Sequence, residues 1–135
     1  MKIATLAAAA LAGAALVAVL DRTVLAQQQG GITRTILQRA DVCGKSNYEA
    51  IMAISELPPG GVGDKHRHHG VEVAYVLDGA ITIEAEGRST TYKAGEVIKN
   101  DNEAAHGAKN TGSTTARSLA VYVVEKSKPL AEPVK

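Results

Sequence analysis

Three of the chain's four histidines, His66, His68 and His69, crowd into the start of the stretch HRHHGVEVAYVLDG (66–79), and Glu72 follows them closely. Imidazoles and a carboxylate in this density can hold a metal ion. In a strand alternate side chains share a face, so His66 and His68 point the same way. Glu72 joins them if one strand runs unbroken through Gly70. Ala74 and Val76 continue that face with small apolar side chains, as the inside of a barrel requires. Buried without partners, these polar groups would be costly, and a divalent cation compensates them directly. The alternative is a solvated loop in which the imidazoles simply face water. His69 has the opposite parity and is expected at the surface or behind the ligands, not among them.

The elements that must position these residues read as short strands between turn signals. Tyr48 to Leu57 alternates and stops at Pro58-Pro59-Gly60-Gly61. Val71 to Leu77 ends at Asp78-Gly79, a hairpin signal answered by Ile81 to Ala85. A second hairpin is expected at Glu86-Gly87-Arg88, then strands over Thr90 to Lys93, Glu96 to Lys99 and Leu119 to Val124. Outside the first residues nothing holds a helical period for three turns. The fold class is therefore all-β, a sandwich or barrel. Residues 27–44 form an N-terminal segment before a barrel over 45–125, and 126–135, with Pro129 and Pro133, read as a loose tail.

At 135 residues the chain is a single domain with a modest core, built without Phe or Trp. Its 15 Lys and Arg against 14 Asp and Glu, with no basic block, argue against nucleic acid as a partner. Residues 1–26 obey other rules. Lys2 precedes an apolar, Ala-rich run from Ile3 to Leu20, and Val24-Leu25-Ala26 closes with a small residue. This is the pattern of a secretory signal peptide cleaved after Ala26, which predicts a periplasmic or secreted protein with no membrane attachment once the signal is removed. The alternative, an uncleaved anchor, is disfavoured because alanine-rich spans insert weakly. Cys43 is the single cysteine, so no internal disulfide can form, and a partly buried thiol is expected.

Gly60, His66, His68, Glu72 and Gly79 have the spacing G-x5-H-x-H-x3-E-x6-G. This resembles the first signature of the cupin family. Gly95, His106 and Asn110 resemble the second, G-x5-P-x-G-x2-H-x3-N, with Asp101 at the proline position and Glu103 at the glycine position. The likeness covers about residues 45 to 125. It implies a small antiparallel β-barrel of jelly-roll type that holds one divalent transition metal ion through His66, His68, Glu72 and His106. Mn, Fe, Zn, Ni and Cu all suit such a ligand set. Asp101 and Glu103 are read as surface charges in a polar loop, with a general acid or base at the pocket rim the lesser reading.

Four protein ligands leave two positions of an octahedron for water, dioxygen or a small-molecule ligand or substrate. The first functional expectation is a metal-dependent oxidoreductase of dioxygenase type acting on a small oxygenated substrate. The second is a noncatalytic small-ligand-binding or sensor module. Val71, Val73, Tyr75 and Leu77 form an apolar stripe opposite the metal face, which predicts a homodimer unless an N-terminal strand covers it within one copy.

Overall fold

The computed structural model describes residues 26–135; the signal peptide expected over 1–26 lies, but for Ala26, outside them. Eleven strands and no helix make up the described residues. A six-stranded antiparallel sheet has the order β1 (Ala26–Gln29), β2 (Ile32–Val42), β3 (Lys45–Leu57), β10 (Ala116–Glu125), β5 (Gly70–Asp78), β8 (Val97–Asn100). Facing it, a five-stranded sheet has the order β11 (Glu132–Pro133), β4 (Val62–Arg67), β9 (His106–Lys109), β6 (Ala80–Ala85), β7 (Arg88–Lys93). The two sheets form the jelly-roll barrel expected from the sequence.

The core lies between them and follows the alternation of each strand. Ile51, Ala53 and Leu57 of β3, Ala74 and Val76 of β5, and Ala116, Ala120, Tyr122 and Val124 of β10 point inward and are buried. Across this sheet Ala53 is opposite Ala120, and Ala120 is opposite Ala74, a row of small residues that leaves space inside. Ile32 and Arg34 of β2 are also buried, so the segment before residue 45 contributes to the barrel wall.

Three expectations need correction. No single strand runs through Gly70: β4 ends at Arg67 in one sheet and β5 starts at Gly70 in the other, so His68 and His69 form the crossing between sheets. Residues 126–135 are not a loose tail. Leu130 is buried, Glu132 and Pro133 pair with Arg67 and His66 of β4, and the Val134 amide donates to the Lys65 carbonyl. Cys43 is exposed, because it sits in the turn between β2 and β3. His69 is buried and lies outside the histidine cluster, in keeping with its expected place away from the ligands.

Candidate metal centre

Strand β4 supplies His66, its cross-strand partner on β9 is His106, and the crossing segment supplies His68. All three are buried, and their ligand atoms lie within 4.8 Å of one another. The cluster can hold a metal ion. Each ring is oriented through Nδ1, which donates to a backbone carbonyl: His66 to Asp64 at 2.7 Å, His106 to Ala104 at 2.9 Å, and His68 to Leu130 in the C-terminal segment. A carbonyl only accepts, so these bonds fix the proton on Nδ1. In the neutral ring Nε2 then carries a lone pair, the form a metal requires.

Glu72 comes from the opposite sheet. Its Oε2 lies 3.1 Å from His68 Nε2 and 3.6 Å from His106 Nε2, and accepts from Asn100 Nδ2 at 2.7 Å. Burial opposes the charge on Glu72, but hydrogen bonding to His106, His68 and Asn100 and the charge of His68 outweigh it. The carboxyl is held well below its usual range. A neutral His68 would therefore aim a lone pair at a carboxylate. Two acceptors facing each other need a cation or a proton between them, and a metal fits that place. His66 is pushed down to about 3, chiefly by burial; the bond to the Asp64 carbonyl opposes this, while the charge of Arg34 adds to it.

His66 and His106 border a cavity of about 30 Å3, whose lining includes Arg34, Ser55, Asn100 and Ser118 besides Glu72. Arg34, Ser55 and Ser118 are opposite one another across β2, β3 and β10, a polar row on an otherwise apolar wall. Arg34 Nη2 donates to His66 Nε2 at 3.2 Å. Ser55 Oγ is buried and has no hydrogen-bond partner among the described residues. Burial and the negative charge of Glu72 raise the Tyr122 phenol well above its ordinary value, so it stays protonated and cannot act as a base near neutrality.

His69 lies outside this group. Its Nδ1 donates to Glu103 Oε1 at 2.6 Å, and its Nε2 lies 3.0 Å from Glu132 Oε2. Arg67 joins both carboxylates, at 3.3 Å from Glu103 and 2.6 Å from Glu132. Glu103 is exposed, as a surface charge in a polar loop should be, and is also ion-paired. It adopts a left-handed backbone conformation with φ of 62°, where the family signature has glycine, at a cost of ~1 kcal/mol for a residue with a side chain. Asp101 is exposed and pairs with Lys99. Asn110 braces a turn through its amide to the Leu57 and Thr114 carbonyls. Arg34 and the Leu130 carbonyl escape a reading of the sequence, since both lie far along the chain from the histidines.

The family model described as "Cupin domain" matches residues 53–122. The chain belongs to the cupin family. An oxalate-binding protein of Thermotoga maritima is 34% identical to this cupin over 79 residues, covering 58% of this chain. The match spans 65% of that relative's length. Among solved structures, a predicted oxalate decarboxylase from Thermotoga maritima aligns with a TM-score of 0.61 and 24% identity, over 76% of this chain and 94% of the other. A polyketide cyclase from Streptomyces resistomycificus gives a TM-score of 0.63 and 24% identity, over 84% of this chain and 81% of the other. These two likenesses show the fold.

Proposed function

We propose that this is an exported cupin in which His66, His68, Glu72 and His106 hold one divalent transition metal ion that captures a small oxygen-donor ligand. The observation that carries the reading is the convergence of three buried imidazoles, their ligand atoms within 4.8 Å of one another, with the Glu72 carboxylate 3.1 Å from His68 Nε2. Oxalate is the first ligand to test, because the curated relative is named for binding it. Of the two functional expectations, ligand capture is the better supported. The cavity beside the histidines is small, about 30 Å3, and its lining has no carboxylate besides Glu72 to serve as a base.

Metal analysis of protein purified without a chelating tag is expected to give about one ion per chain. His106→Ala should weaken metal binding more than ~100-fold while the barrel keeps its melting transition, because apolar strands carry the core. His69→Ala should keep the metal. A wild-type protein that takes up none of Mn, Fe, Zn, Ni or Cu, or a His106→Ala variant that binds equally well, refutes the assignment. Calorimetry should then show oxalate binding to the loaded protein. Steady oxygen consumption with a small oxygenated acid would favour the dioxygenase reading instead.

We further propose that two copies pair through the outer face of the six-stranded sheet. Met52, Val121 and Val73 lie side by side across β3, β10 and β5, next to Tyr75 and Val97, and all five are exposed. β1 and β2 extend the edge of this same sheet and leave the face uncovered. Light scattering at micromolar concentration should report a dimer, and Val73→Lys, at the centre of the patch, should shift it towards monomer. A monomeric wild type would end this idea.

A further inference from the structure

Arg34 is a buried cation set among groups that would bind another cation. Its Nη2 donates to His66 Nε2, the lone pair that a metal in the histidine cluster would take. Arginine and metal therefore compete for one acceptor. The formal charges sharpen the problem. Glu72 and Arg34 cancel, so a divalent ion leaves the buried group with two uncompensated positive charges, which is costly in an apolar interior.

A small anion resolves both difficulties at once. It can bind the metal's open positions, and its remaining oxygens can receive the guanidinium displaced from His66, in the planar geometry that arginine offers to carboxylates. A dianion restores neutrality. Ser55, buried beside Arg34 with an unpartnered hydroxyl, supplies a further donor. Arg34 lines both this cavity and an open pocket of about 460 Å3 between β1 and the C-terminal segment, walled by Gln27, Gln28, Pro129, Leu130 and Pro133.

We propose that Arg34 is the anion-recognition residue of this centre and links its two ligands: a small carboxylate arriving through the pocket between β1 and the C-terminal segment draws Arg34 off His66, so carboxylate and metal bind cooperatively. The inference rests on the metal assignment above and adds a ligand class and a coupling to it.

Zinc affinity measured by competition with a chromophoric chelator, with and without formate, tests it; formate is a carboxylate that chelates free zinc only weakly. In the wild type, saturating formate should tighten zinc binding about tenfold. Arg34→Leu should bind zinc more tightly than the wild type without formate, because the competitor for His66 is gone, and formate should then change its affinity less than about twofold. Arg34→Gln, which keeps a polar side chain, should show the same loss of coupling and serves if the leucine variant does not fold. No formate effect in the wild type overturns the proposal. An equal formate effect in the Arg34 variants assigns it to the metal alone and overturns it as well. Either result leaves zinc binding and its loss in His106→Ala intact, whereas wild-type protein that binds no zinc at all sinks the metal assignment too.

Discussion

Replacing Gly70 by alanine should strongly destabilise the fold, although alanine is the smallest change available. Gly70 opens β5 as the chain passes from one sheet to the other, with φ of 155°, a conformation L side chains rarely adopt. A Cβ there would lie 1.9 Å from the Val123 carbonyl oxygen and 2.7 Å from the Val124 Cα. Both are backbone atoms of the paired strand β10, where Val124 is opposite Gly70, so no rotamer change can relieve the clash. Relief requires β5 and β10 to part at the point that sets His68 relative to Glu72. The expected cost is at least ~3 kcal/mol, a large share of the stability of a domain this size. Urea unfolding checks it. A Gly70→Ala midpoint within experimental error of the wild type would show that this crossing is looser than the structure indicates. By contrast, the nearest atoms that a Gly63→Ala methyl would meet belong to the Ile32 side chain rather than to backbone, and the change should cost less.

The longest strands visible in the sequence have apolar inward positions; β7, exposed but for a half-buried Tyr92, was also expected, over Thr90 to Lys93. β3, β5, β6 and β10 were expected nearly where they lie, each reaching one to three residues further at one or both ends. β9 was not seen as a strand, and β4 only through His66, read as the start of the strand that carries Glu72. The inward residues of β4 are Gly63 and His66, and those of β9 are His106 and Ala108, so chemistry occupies places that a core residue would otherwise mark. β2 was obscured in the same way, since Arg34 interrupts Ile32 and Ile36 on the inner face. Function hides a strand by replacing the pattern that reveals it.

The spacing of His66, His68, Glu72 and His106 was legible because motif spacing survives without knowledge of the path between residues. The path itself was misread. A single strand would put His66 and Glu72 on one surface, side by side; the structure puts them on facing sheets, so that imidazoles from one wall meet a carboxylate from the other. That arrangement surrounds a point, which one strand cannot do. The groups that orient and balance the cluster were out of reach, because Arg34, Asn100 and the Leu130 carbonyl come to it only through sheet topology.

In chelator, the metal-free protein should lose stability steeply as pH falls below about 6.5, the ordinary value for histidine. The sign follows from His66 and Glu72. His66 is held neutral by burial down to about 3, against 6.5 when unrestrained. Between those values the unfolded chain binds a proton that the folded one refuses, so stability is full above 6.5 and drains away as pH drops toward 3. Glu72 adds in the same direction. Its carboxyl is held well below 4.5 in the fold, so the unfolded chain also takes up this proton first, and stability is lost as pH falls through 4.5 and below. From pH 6.5 to 5 the His66 contribution alone is about 2 kcal/mol, which corresponds to a fall in melting temperature on the order of 10 °C. His66→Gln, which cannot titrate, should lose that part of the slope while keeping the part at lower pH. A melting temperature that stays level between pH 7 and 5, or a His66→Gln variant with the full wild-type slope, would show that the buried imidazole is not what makes the empty centre sensitive to acid.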